Sequence, residues 1–228
     1  MFSVLFEVQP KAEQWESYLG NAKMLRPDLE KIEGFIDNIR YGSLKRKGWI
    51  LSLSSWEDEK ALIRWRTQQK HHETQAKGRN EILRDYHLRV GQYTKDTKLP
   101  EGQKLAEQRL DETNIGEGTT AVLTSAKQSE DWIKSTRAED VAKYLGLVLN
   151  AQGLESWDVY DSVLVPGEII LMSVWKTQNE ARAFGNAVSL PKDGRLRIVR
   201  IVRDYTMFDR REAPQYYPDA KGQETIHS

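Results

Sequence analysis

Phe2, Val4, Phe6 and Val8 alternate with Ser3, Leu5 and Glu7, the two-residue period of a half-buried strand, and Pro10 ends it. Ala12, Trp15, Leu19 and Ala22 then recur at helical spacing. Residues 35–44 and 49–56 read as two strands. Between them Lys45-Arg46-Lys47-Gly48 forms a hairpin turn whose glycine is free to take positive φ. Glu57-Asp58-Glu59 places acids at the positive end of the next helix, with Ala61, Leu62 and Trp65 on its core side. Residues 86–93 form a closing strand, which gives the order βαββαβ.

A second set of elements follows in the same order: a strand at 120–125, a mostly helical 131–149, a hairpin of 154–165 and 168–175 around Pro166-Gly167, a helix at 180–187 and a strand at 197–208. The two sets are copies. Residues 34–86 align with 153–205 at a constant offset of 119 and without a gap, and Gly34, Tyr41, Gly48, Ser54 and Trp56 return as Gly153, Tyr160, Gly167, Ser173 and Trp175. Arg84-Asp85-Tyr86 returns as Arg203-Asp204-Tyr205. A period this long is a tandem domain. The expected division is 1–95, a polar linker at 96–118 with a short helix around 105–110, a diverged second domain at 119–209, and an arm at 210–228 without periodicity.

Charge narrows the partners. Lys plus Arg and Asp plus Glu both number 34 in 228 residues, so nothing global favours nucleic acid or a membrane surface. No cysteine is present, which removes disulfides, thiolate metal sites and cysteine nucleophiles. The first residues lack a basic segment, and no apolar run approaches the roughly 20 residues of a spanning helix, so the expected location is the cytoplasm.

Strand parity then separates two faces. Phe35, Ile39, Tyr41, Leu51, Leu53, Tyr86, Leu88 and Val90 form an apolar face on which the helices are expected to pack. The other face carries Asn38, Arg40, Ser52, Ser54, His87 and Arg89. Its equivalents in the second copy are Trp157, Val159, Leu171, Ser173, Thr206 and Phe208. Packing these two faces together buries the second copy's apolar wall and creates an interior with one polar wall, as ligand pockets combine the two. The alternatives are a solvated polar face whose arginines pair with acids, and an apolar wall that binds another copy in a homo-oligomer. Trp65, His72 and Arg79 share one helical face, whereas His71 points elsewhere. Adjacent histidines without a carboxylate cluster do not make a metal site, and none is expected.

Ser54-Ser55-Trp56-Glu57-Asp58-Glu59-Lys60-Ala61, then Trp65-Arg66, His72, Gln75, Gly78-Arg79 and Asp85-Tyr86, resemble the antibiotic biosynthesis monooxygenase family. The resemblance implies an α+β fold of two ferredoxin-like units whose antiparallel sheets pack as a dimeric α/β barrel, here within one chain. It also implies cofactor-free oxidation of an aromatic or polyketide-like molecule, in which the deprotonated substrate reduces oxygen. Strand parity supplies residues for such a site, His87, Arg40 and Arg89 for catalysis and Asn38, Ser52, Trp157, Val159, Leu171 and Phe208 for a small apolar or aromatic partner, and the shared helical face adds His72 to the first set and Trp65 to the second. The family's haem-degrading branch pairs a first-strand asparagine with a helical tryptophan and a later histidine. Glu7 and Gln75 stand near those places, so neither haem nor another cofactor is expected. The second class of function is a non-catalytic barrel that binds a hydrophobic ligand or mediates oligomerisation.

Overall fold

A computed structural model describes residues 1–214, apart from the side chains of Gln69, Lys70 and His72. The first half runs β1 (Phe2–Pro10), α1 (Trp15–Leu29), β2 (Phe35–Ser43), β3 (Ile50–Trp56), α2 (Glu59–Thr67), α3 (Gln69–Lys77) and β4 (Leu83–Asp96). The second runs β5 (Thr120–Lys127), α4 (Glu130–Ser135), α5 (Ala138–Tyr144), β6 (Leu154–Ser162), β7 (Glu168–Trp175), α6 (Gln178–Ala187) and β8 (Arg195–Thr206). All eight strands close one antiparallel barrel in the order β1-β3-β2-β6-β7-β5-β8-β4. The halves meet at two seams: nine registered pairs between β4 and β8, and three between β2 and β6.

Local chemistry explains the elements. Gly34, Gly48, Gly153 and Gly167 all have positive φ, from 77° to 100°, so the recurring glycines mark recurring turns. Trp56 Nε1 donates to Ser54 Oγ at 2.9 Å, and Trp175 repeats the bond to Ser173 at 2.9 Å. Asp58 caps α2 by accepting from the Ala61 amide. Two expectations change. The segment 131–149 is two short helices, α4 and α5, and no helix forms at 105–110. There Gln92 accepts from the amides of Gln108 and Arg109 and donates to the Arg109 carbonyl, holding that stretch against β4.

Inside the barrel, Leu5, Tyr41, Leu51, Leu53 and Tyr93 of the first half pack with Leu123, Tyr160, Ile170, Met172 and Val199 of the second. One end of this core is a buried charge network. Glu7, 5% exposed, receives Arg89 Nη1 at 2.5 Å, the Tyr160 hydroxyl at 2.9 Å and the Arg46 guanidinium. Arg46 also reaches Asp158 at 2.6 Å, and Arg89 Nε reaches Asp204 at 3.2 Å. Arg89 Nη2 donates to His87 Nδ1 at 3.1 Å, which leaves His87 Nε2 to donate to Asp204 at 2.5 Å. Three members come from the second half, so the network ties the halves together through charge.

The interior yields two predictions. Burial alone would raise the Glu7 carboxyl, but Arg89 and Arg46 outweigh it and hold it at about 2, below the ordinary 4.5. A depressed carboxylate stabilises the fold above its unfolded pKa and loses that contribution as pH falls through the folded value. About 3 kcal/mol present at neutral pH should therefore drain away between about pH 4.5 and pH 2. Urea titrations across that range should show it, and Glu7→Gln should flatten the profile while lowering neutral-pH stability. At the β4–β8 seam, a Cβ on Gly91 would stand 2.5 Å from Val199 Cγ1 and against the Arg200 carbonyl. Gly91→Ala should cost about 1–3 kcal/mol in urea unfolding, and a variant as stable as the parent would show that the seam can yield.

Candidate functional site

A cavity of about 260 Å³ lies on the outer face of the first-half sheet, under its helices. Its floor follows the strand register. Arg40, Ser52, Phe6 and Leu88 form one row across β2, β3, β1 and β4, and Asn38, Ser54, Val4 and Val90 form the next. The β2–β3 edge of the floor is therefore polar, and the β1–β4 edge apolar. Asn38 Nδ2 donates to Ser52 Oγ at 3.1 Å, whereas buried Asn38 Oδ1 and Arg40 Nε have no hydrogen-bond partner. The Arg40 guanidinium lies close to the Tyr18 hydroxyl of α1, which burial pushes up.

Helices α1, α2 and α3 form the roof. Trp65 of α2 and His71 of α3 stack at 4.1 Å between ring centres and 16° between planes. His71 Nδ1 is 2.9 Å from the Trp65 carbonyl oxygen. A carbonyl can only accept, so Nδ1 carries the hydrogen and Nε2 is the basic nitrogen of the neutral ring. One turn further along, the buried Gln75 Oε1 has no partner. After α3 the chain makes a wide π-type turn, Gly78–Ile82, that brings Arg79 to the cavity. There Arg79 Nη1 donates to the Tyr86 hydroxyl at 3.0 Å and to the Met207 carbonyl at 3.1 Å. Arg40, Arg66, Arg79 and Arg210 all line the space, and no described lining residue is an Asp or Glu.

The second half lacks a counterpart of α3. Phe2 of β1 pairs with Trp56 and Gln92, and Thr120 of β5 pairs with Trp175 and Arg200. The offset between copies is thus 119 at the tryptophans but 108 on the closing strands. The gap-free alignment fails there, and Arg84-Asp85-Tyr86 and Arg203-Asp204-Tyr205 occupy opposite ends of β4 and β8. Without α3 the helices pack straight onto the sheet. Trp175 and Phe184 stack at 4.9 Å beside Leu145, Ile133 and Leu196.

The two faces of the β2–β3 hairpin are the reverse of those expected. Ile39, Tyr41, Leu51 and Leu53 point into the barrel, while Asn38, Arg40, Ser52 and Ser54 lie under the helices; Tyr86, Leu88 and Val90 do face the helices. Alternation defines two faces per strand but not the phase between strands, and the β2–β3 register shifts between Phe35 and Asp37. Arg40, Asn38, Ser52 and Trp65 consequently meet in one cavity. His87 and Arg89 sit in the charge network inside the barrel and do not line that cavity. Val159 and Leu171, both fully buried, pack under the second half's own helices, and Trp157 joins that cluster while the Lys45 ammonium sits 3.9 Å from its ring centre. Phe208, 47% exposed, stands beyond β8. The side chain of His72 lies outside the described residues. Sequence reasoning missed His71, Tyr18, Tyr205 and Arg210. The available signal was the mismatch in length between the copies, which marks α3 as extra.

Among the described residues no group of three or more His, Asp or Glu could hold a metal ion, and no helix is long and apolar enough to cross a membrane. Two crystal structures of aldoxime dehydratase, one with butyraldoxime, superpose with TM-scores of 0.52 and 0.55 at 14% and 11% identity. They cover 88% and 90% of this chain and 80% and 81% of their own, a likeness of fold alone. The sequence profile described as antibiotic biosynthesis monooxygenase matches residues 1–77, which hold the cavity floor up to β3 and helices α1 to α3. A protein of Pyricularia oryzae named jasmonate monooxygenase ABM is 44% identical over 225 residues, spanning 96% of this chain and 100% of that one. The chain belongs to the antibiotic biosynthesis monooxygenase family.

Proposed function

We propose that the protein is a cofactor-independent monooxygenase acting on a small, largely apolar molecule with one anionic oxygen group, bound in the sheet–helix cavity of the first half. The observation that carries this reading is Arg40. Its Nε is buried without a partner, and it forms no ion pair among the described residues. A guanidinium kept this way beside Phe6, Leu25, Leu62 and Leu88 suits a carboxylate or enolate on an apolar body. The relative's name supports it, because jasmonate is an apolar ring compound with a carboxylate.

His71 Nε2 is the base of this reading. It takes a proton from the substrate, the electron pair stays on carbon or oxygen, and the resulting anion passes electrons to dioxygen. Arg40 and Asn38 Nδ2 stabilise the charge that develops in an apolar surround. When a CH₂ group becomes a carbonyl, one oxygen atom enters the product and the other leaves as water, so no outside reductant is needed.

Jasmonic acid and its methyl ester separate the parts of this reading by calorimetry and mass spectrometry. The acid should bind about tenfold more tightly than the ester, since a charge-assisted hydrogen bond contributes about 1.5–3 kcal/mol. Arg40→Ala should erase the difference with little change in Tm. With isotope-labelled dioxygen and no flavin or nicotinamide, a turned-over ligand should gain one labelled oxygen, and His71→Gln should abolish this. Equal affinity for acid and ester, or a large loss of Tm in Arg40→Ala, makes Arg40 a structural group. Binding without oxygen incorporation leaves a carrier.

A further inference from the structure

The Tyr86 hydroxyl has an unused hydrogen. Tyr86 is 7% exposed, stands on β4 and lines the cavity. Its oxygen accepts from Arg79 Nη1 at 3.0 Å and from Arg210 Nη1. A phenol oxygen has two acceptor positions and one hydrogen to give. With both acceptor positions taken by guanidiniums, the hydrogen is turned away from them, and no described residue accepts it. A buried donor left without an acceptor is costly unless something in the cavity receives it.

The two guanidiniums are held in place from different parts of the chain. Arg79 comes from the turn after α3 and is fixed by the Met207 carbonyl. Arg210 arrives from the segment after β8, which folds back over the first half. Glu212 pins that segment by accepting from Thr113 Oγ1 at 2.7 Å, the Asn114 amide at 2.8 Å and the Asp204 amide at 2.6 Å. Arg210 also lies 5.5 Å from the Tyr205 ring centre. The second half therefore supplies part of the wall of a cavity that belongs to the first.

This donor is far from Arg40. Arg40 is on β2 and Tyr86 on β4, with β3 and β1 between them, and Tyr86 is the next outward residue after Leu88 in the Arg40 row. Three strand spacings place the two backbones about 14 Å apart across the sheet. The floor between them is Ser52, Phe6 and Leu88, so beyond Ser52 it is apolar until the Tyr86 hydroxyl at the other end.

We propose that the ligand is bipolar, with an anionic group at Arg40 and a neutral acceptor oxygen, a ketone or ether, at the opposite end, and that Tyr86 is the residue that selects for the second oxygen. Arg79 and Arg210 position its hydroxyl. The inference rests on the cavity being the substrate site.

The test compares octanoic acid with octanoic acids bearing a ketone at the fifth, sixth or seventh carbon, by calorimetry on the wild-type protein and on Tyr86→Phe. At least one keto acid should bind the wild type about fivefold more tightly than octanoic acid, the effect of one added hydrogen bond. Tyr86→Phe, which removes only the hydroxyl, should abolish that advantage and leave octanoic acid affinity within twofold. The proposal is overturned if no keto acid gains, or if the gain survives in Tyr86→Phe. An equal loss of octanoic acid affinity in the variant overturns it too, because Tyr86 would then only support the cavity. If octanoic acid itself fails to bind the wild type, the cavity is not the substrate site and the proposed function falls with it.

Discussion

A strand in this barrel has two faces, and both must be kept from water. The inner face is covered by the facing strands and needs residues from both halves, as Leu5, Leu51 and Tyr41 find in Leu123, Tyr160 and Ile170. The outer face is covered by each half's own helices. Every later feature follows from how well that outer cover fits. In the second half, α4, α5 and α6 sit directly on the sheet and leave a packed core. In the first half α3 lies over the sheet, and polar residues on β2 and β3 replace the apolar ones that would have filled the gap. The cavity is what remains when a thicker roof is set on a partly polar floor.

Much of this was legible in the chain. All eight strands lie within a few residues of their expected positions, because two-residue alternation and positive-φ glycines are local signals. The barrel itself followed from an apolar face that had to be covered, although the face chosen for the hairpin was the wrong one. Parity could not show that Leu51 and Leu53 point inward while Tyr86 and Leu88 point outward, since the phase between strands is set by pairing. The matching Arg-Asp-Tyr triplets concealed the missing helix in the second copy and so assigned Thr206 and Phe208 as partners of His87 and Arg89. By strand pairing the equivalents are Arg195 and Arg197, which share their basic character. Arg40, Asn38 and Ser52, expected between the sheets, instead line with Trp65 the space under the first half's helices, because polar residues in the middle of strands stand out in the sequence whichever way they point.

The two copies have diverged in what covers their outer faces. The first half holds the space under its helices, and the second joins it through the buried charges of Asp158 and Asp204 and through the segment that Glu212 fastens. Charges buried in this way are costly to break singly, so substitutions on one half are felt in the other.

The two seams are unequal, and this gives the closed ring a preferred place to open. The β4–β8 side, with nine pairs and Gly91 allowing close approach, resembles the middle of a continuous sheet. The β2–β6 side has three pairs, lengthened by the Val163 amide on the Arg40 carbonyl and the Leu44 amide on the Val159 carbonyl. Thermal fluctuation will part the ring at its shorter join first, so amide exchange should be fastest along the outer edges of β2 and β6. Because Arg40 stands on that edge, the strand that gives the cavity its polar side is also one arm of the shorter join, and the ring is a clasp that closes beside its own pocket.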